Sequence, residues 1–230
     1  MNVQNFIRNR RIWMAMAIML AACGAALAQQ EVKFAKNQQE NATKLRQYSW
    51  KSRMEVRKDG ETKSVKLLMT RHDIDGTAQQ TLLSGSQEQI PTGGLKGMIA
   101  KKKKEEFVSL LDRLGGLARS YSQLPPNKME RFIANATFTP ERNPQQALIR
   151  IQGKDALQPG DSMTIWVDAT TRKQRRVEIL STFENKAVRI VSDFEDLPNG
   201  PTYMARSVID YRKGEILVTT ENFDHKREEK

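Results

Sequence analysis

The alternation of apolar and polar residues along this chain changes period twice. In "YSWKSRMEV", Tyr48, Trp50, Met54 and Val56 alternate with Ser49, Lys51, Arg53 and Glu55. A period of two with one apolar and one solvated face predicts an antiparallel strand. Lys58-Asp59-Gly60-Glu61 reads as a hairpin turn with glycine at the permissive position. The returning run "TKSVKLLMTR" places Val65, Leu67 and Met69 on one face, Asp73-Ile74-Asp75-Gly76 makes another turn, and "TAQQTLLS" makes a third strand. From about Leu95 to Ser122 the period becomes helical. Phe107, Leu111, Leu114, Ala118 and Tyr121 step by four, three, four and three, with Leu110 and Leu117 widening the stripe. Gly115-Gly116 lies inside that stripe and costs about 2 kcal/mol relative to two alanines, so the helix is expected to end, kink or restart there. Pro125-Pro126 then opens a second short helix, "NKMERFIANA".

From Gln146 the period returns to two. "ALIRIQG" comes first, and "DSMTIWVDA" aligns Met163, Ile165 and Val167. "RRVEILSTFE" aligns Val177, Ile179 and Phe183, and "AVRIVSDFE" aligns Val188, Ile190 and Phe194. "TYMARSVIDY" aligns Tyr203, Ala205, Ile209 and Tyr211, and "EILVTTENF" aligns Ile216 and Val218. The turns between them are short and rich in turn-forming residues. The expected fold is mainly β with a helical insertion (α+β). Three strands, helices over about 95–135 and six further strands would form an antiparallel up-and-down curved sheet or half-barrel, with the helices as a lid on one side.

The segment before these strands reads differently. Arg8, Arg10 and Arg11 precede the apolar run "IWMAMAIML" and then small residues, the three parts of an export signal over residues 1–28. The run is too short for a mature spanning helix, which needs about 20 residues. "MLAACGAALAQQ" offers two cuts: after Ala28, leaving a free periplasmic protein, or at the lipidation box Leu20-Ala21-Ala22-Cys23, leaving a chain anchored at Cys23. The apolar stretch after Cys23 favours the cut at Ala28, with residues 29–230 as one domain and Gln29 to Arg46 as a short helix or turn leading into it.

Composition narrows the chemistry. The chain carries 38 Lys+Arg against 27 Asp+Glu, a net charge of +11. Without residues 1–28, which hold three arginines and no acid, the charge is +8. Cys23 is the only cysteine, so a chain cut at Ala28 has no disulfide, thiol chemistry or cysteine-bound zinc. His72 and His225 are expected to be solvated, and no spacing pairs either with a nucleophile or with metal ligands. "GGLKGM" at 93–98 lacks the end of a phosphate loop. The reading is of a non-enzymatic chain without a cofactor. Lys101, Lys102, Lys103 and Lys104 fit either an anionic membrane surface as partner or the solvated face of a helix. Nucleic acid is not expected, because the basic residues have no aromatic stacking platform beside them. The remaining signal is apolar. Trp50, Met54, Leu67, Met69, Ile165 and Phe183 from the sheet, with Phe107, Leu111 and Leu114 from the helix, are candidates either to line a ligand cavity or to fill a closed core.

Residues 163–211 add a family likeness. Trp166-Val167-Asp168, the turn Thr170-Thr171, Arg175 and Arg176, and Asn199-Gly200-Pro201 resemble the Lol-type (LolA/LolB-like) superfamily of periplasmic lipoprotein carriers and receptors, and residues 45–71 look like its opening hairpin. The resemblance implies an incomplete antiparallel barrel plugged by helices, with a lipid, acyl chain or lipidated protein as ligand. Between Val65 and Asp73 there is no proline where such carriers place one, and Arg71 is the candidate for the arginine that would hold the lid. The competing reading is an envelope protein–protein interaction module, or an anchored lipoprotein, without a cavity ligand.

Overall fold

The computed structural model describes residues 37–73, 77–87, 94–142 and 146–228. The expected signal peptide and both of its cleavage sites lie outside these residues. The chain divides into two units, residues 1–40 and 41–230. Of the first, only residues 37–40 are described, at the start of a helix (α1) over 37–45.

Ten strands carry the second unit: β1 (Tyr48–Lys58), β2 (Glu61–His72), β3 (Ala78–Gln87), β4 (Thr137–Arg142), β5 (Ala147–Lys154), β6 (Ser162–Asp168), β7 (Gln174–Phe183), β8 (Lys186–Asp196), β9 (Thr202–Tyr211) and β10 (Ile216–Arg227). They form one sheet in the order β3-β2-β1-β10-β9-β8-β7-β6-β5-β4, with every neighbouring pair antiparallel. The first and last of the described strands, β1 and β10, pair with each other inside the sheet. Among the described residues the sheet ends at β3 and β4, the two strands that the helical segment connects, so the curved sheet stays unclosed. That segment is α2 (Gly94–Ser122) followed by α3 (Pro126–Ala134).

Directly opposed residues of an antiparallel pair share a face, so the register sorts the side chains. One row runs Gly153, Met163, Ile179 and Ile190 to Ile209, Val218 and Val56. Every side chain in it is buried, and the helices meet this inner face. The opposite face carries a ladder of alternating charge: Arg176 faces Asp193, Asp193 faces Arg206, Arg206 faces Glu221, and Glu221 faces Arg53. Three of these contacts are ion pairs, at 3.1, 3.8 and 3.7 Å. Each exposed pair contributes little to stability. Together they oppose a register slip, which would bring like charges face to face and turn the apolar row outward.

Three sequence expectations change. Ten strands lie among the described residues, because "TFTPER" forms β4. Pro140 argues against a central strand, but β4 is an edge and tolerates it. The helix neither ends nor restarts at Gly115-Gly116: α2 runs on to Ser122. Leu114 and Tyr121, on either side of the glycines, are anchored in the core and hold the helix through them. In β9 a register shift opposite Asp193/Phe194 breaks the alternation, so Tyr203, paired with Glu195, is out of step with Ile209 and Tyr211.

Candidate functional site

The helices grip one end of the inner face. Leu114 is fully buried, and Tyr121 and α3's Phe132 and Ile133 are buried with it. Tyr121 donates its hydroxyl to Asp161 Oδ2 at 2.7 Å and accepts from Ser181 Oγ at 2.9 Å. Asp161 also takes the backbone N–H groups of Ala156, Leu157 and Gln158 at 2.7, 3.0 and 2.9 Å. Gln158 Nε2 closes the circuit onto Ser181 Oγ at 2.6 Å. Burial raises the Tyr121 pKa well above its ordinary value, and Asp161 adds to this against the Ser181 hydrogen bond, so the phenol remains a donor. A side chain that accepts three N–H groups is a turn former, and the circuit is a structural clamp on the C-terminal end of α2. Nearby, Arg113 pairs with Glu184 and lies 5.7 Å from the Phe183 ring. Phe183 meets Tyr211 edge-on at 6.2 Å, and Lys58 Nζ sits 5.5 Å from the centre of the Phe107 ring.

The candidate residues therefore fall into three places. Leu114 and Ile165 are buried core, and Phe107, Leu111 and Phe183 are half-buried around the helix-covered end. Trp50 and Met54 lie on the same inner face but beyond it, Trp50 eight residues or about 26 Å along β1 from Lys58. Leu67 and Met69 are not with them. They oppose Arg53 and Lys51, and so lie on the charged outer face. There Lys51 pairs with Asp224 at 2.7 Å and Arg53 with Glu55 at 2.6 Å, and long basic side chains on this face can cover apolar surface with their stems. The inward residues of β2 are Ser64, Lys66, Leu68, Thr70 and, beyond Thr70, His72. Alternation alone gives β2 two faces without saying which is inner.

Leu68 faces Ser52 on one side and Leu82 of β3 on the other. Leu82 is 58 % exposed. Trp50, Met54, Leu68 and Leu82 thus form an inward strip that is half-buried at three positions and open at the edge. At the Trp50 end the two histidines meet. His72 lies 5.5 Å from the Trp50 ring centre, His225 stacks on it at 5.8 Å, and Tyr203 lies 4.0 Å from His225. They are not simply solvated. Burial lowers the pKa of His72, with Arg46 adding to it and a hydrogen bond to the Tyr48 backbone opposing. Burial lowers that of His225 against the attraction of Asp224. Both are imidazoles packed on an indole. Among the described residues no three His, Cys, Asp or Glu side chains converge as a metal site, and no helix is long and apolar enough to cross a membrane.

The lysine run lies apart from this strip. Lys101, Lys102 and Lys103 are exposed and Lys104 half-exposed, on the first half of α2.

No family model matches the chain, and no curated protein matches it. Solved structures similar to it include a DUF1329 family protein from Desulfovibrio piger (TM-score 0.45, 8 % identity, covering 88 % of this chain and 92 % of that one). Another is a Vibrio parahaemolyticus domain named for outer membrane lipoprotein sorting (0.41, 10 %, 85 % and 92 %). A third is the LolA superfamily protein NE2245 from Nitrosomonas europaea (0.36, 10 %, 83 % and 93 %). At these scores the functional reading rests on the chain's own geometry.

Proposed function

We propose that this chain is an exported, non-enzymatic carrier that holds a lipid, an acyl chain or the acyl group of a lipidated protein against the inner face of its unclosed sheet. One observation carries the reading: helix side chains reach β5, β7 and the Lys58 end of β1, while Trp50, Met54, Leu68 and Leu82 continue the inner face as a strip that opens at the β3 edge. Apolar area left on a concave face is what an acyl chain fills, at about 0.8 kcal/mol per buried methylene. Met54 can adapt to variable chains. Phe107, Leu111 and Leu114 belong on this reading to the wall that closes the far end. The resemblance of residues 163–211 to lipoprotein carriers supports the same ligand class, and with it a periplasmic setting after cleavage at Ala28.

Native mass spectrometry of the purified chain, with displacement of a fluorescent fatty-acid probe, tests this. The expected result is co-purified lipid and saturable probe binding that Leu68→Glu and Leu82→Glu abolish without lowering the melting temperature. A probe that never binds, or one bound equally by these variants, overturns it.

A second reading is favoured by the β3 edge. "AQQTLLSGSQ" carries no charge and no proline, two of the devices that usually keep an edge strand from pairing with another chain. An extended segment of a partner protein could add to it. Thr81→Pro would abolish that capture and leave acyl binding intact.

A further inference from the structure

The lysine run does not form one side of a helix. Successive helix residues turn by about 100°, so Lys101, Lys102, Lys103 and Lys104 point to all sides. Lys103 lies in line with Tyr121, five turns later, yet Lys103 is exposed and Tyr121 is buried. From Met98 to Glu106 no side chain is buried, and the apolar stripe that meets the sheet begins at Phe107. The start of α2 is thus mostly solvated: Ala100 and Lys104, one turn apart on the side of Phe107, are half-buried, and exposed Lys101, Lys102 and Lys103 complete a collar of cations around the rest. Among the described residues none of the four lysines has a carboxylate partner. Other cations are tied: Lys51 to Asp224, Lys173 to Asp196, Arg175 to Asp196. Ahead of the collar stand two large apolar side chains, Met98 and Ile99, 72 % and 56 % exposed. Residues 94–104 hold five lysines and no acid.

We propose that residues 98–104 are a docking site for an anionic phospholipid surface, with Met98 and Ile99 entering the acyl boundary and the lysine collar pairing with headgroup phosphates. The spacing suits this. Met98 precedes Lys102 by one turn, about 6 Å along the axis, and interfacial helices bury their apolar residues about 5–10 Å deep. Each lysine near an anionic surface raises partitioning about fivefold. Glu105 and Glu106 follow the collar immediately and limit how far the helix can sink. A collar explains why the lysines are consecutive: a helix lying flat would need them on one side only. This docking goes beyond ligand binding and does not depend on it, since the strip and the collar share no residue.

Vesicle co-sedimentation of the full chain decides the matter, using vesicles of phosphatidylglycerol and phosphatidylcholine in equal parts against phosphatidylcholine alone. The expected result is binding to the anionic vesicles only, weakened by salt. The combined change of Lys101, Lys102, Lys103 and Lys104 to glutamine lowers it at least about tenfold, and Met98→Ser with Ile99→Ser removes the part that survives high salt. These positions lie outside the core, and an unchanged melting temperature verifies each fold. Lys186→Gln with Lys213→Gln, a basic pair at the β7–β8 and β9–β10 turns, leaves binding unchanged. Equal loss in that control would make net charge the cause and overturn the site. So would binding to a soluble polyanion such as heparin without binding to vesicles. Fatty-acid probe binding persists in the collar variants, so failure here is distinguishable from failure of the carrier reading.

Discussion

Tyr121 and Asp161 are joined by a hydrogen bond of 2.7 Å between buried atoms forty residues apart, and that bond fastens α2 to the turn before β6. Asp161 is held on one side by three backbone N–H groups and on the other by the phenol. Hydrogen bonds in such closed circuits polarise one another. Tyr121→Phe removes a donor to a carboxylate and leaves the Ser181 O–H without the acceptor it has in the circuit, a loss of about 2 kcal/mol. In a domain of this size that is a fall of about 4–8 °C in melting temperature. Asp161→Ala leaves three N–H groups, one buried and two half-buried, without their acceptor and costs more, at least about 3 kcal/mol. Calorimetry of both variants measures the order. An unchanged Tyr121→Phe melting temperature would remove the clamp from the account.

Gly153 is fixed by Phe132. A Cβ placed on Gly153 would come within 2.7 Å of the Phe132 ring, and the ring is buried between α3 and β5. Gly153→Ala is expected to cost about 1–3 kcal/mol, the range for overpacking. In the Phe132→Leu background the same change costs less, because the clashing ring is gone. A double-mutant cycle by urea unfolding shows the coupling; additive losses would mean that the two do not touch.

The continuity of α2 reverses the expectation for its two glycines. A Cβ at Gly115 would meet only the Arg119 guanidinium at 3.6 Å, and one at Gly116 the same group at 4.0 Å. Neither residue has a positive φ. Gly115→Ala and Gly116→Ala should each therefore stabilise the protein by about 0.5–1 kcal/mol. Thermal melts measure it. Destabilisation would show that the helix opens at this point in solution.

What was legible in the sequence follows from how far each signal reaches. Met163, Ile165 and Val167 announced a strand and an inner face together, because their strand is packed by neighbours on both sides and its apolar alternation is deep. The stripe from Phe107 to Tyr121 announced the face of α2 for the same reason. β2 shows the opposite case. Val65, Leu67 and Met69 are the more apolar set, yet the pairing with β1 turns Leu68 and Thr70 inward, and only the partner's register reveals it. β4 was concealed by Pro140, which only an edge position permits. The Trp50 cluster draws on residues 50, 72, 203 and 225 and needs the first and last strands to pair. It also needs a bulge at Asp224, whose φ of 54° re-aims His225. No local pattern encodes such a meeting.

The same cluster sets a pH dependence. Both imidazoles have pKa values held below the unfolded value of about 6.5. A group whose folded pKa is depressed contributes stability that is present above the unfolded value and lost as pH falls through the folded one. The melting temperature should therefore decline between about pH 7 and pH 5, above the range in which carboxylates protonate. Those carboxylates act lower: Asp168, where hydrogen bonds from Thr171, Gln146 and Thr170 outweigh the effect of burial, is lowered to about 2. Protonating His72 has a further cost, since its buried Nδ1 has no hydrogen-bond partner among the described residues and would become a donor with no acceptor among them. Tyr203 and Trp50 carry no charge to compensate, Arg46 opposes protonation of His72, and Asp224 favours it only at His225. His225→Phe keeps a ring against Trp50 while removing one titration, and with His72→Gln it should flatten the melting profile between about pH 7 and pH 5. Trp50 fluorescence should lose its quenching step over the same range. A double variant that melts with the parent's pH dependence would place the titration elsewhere in the molecule.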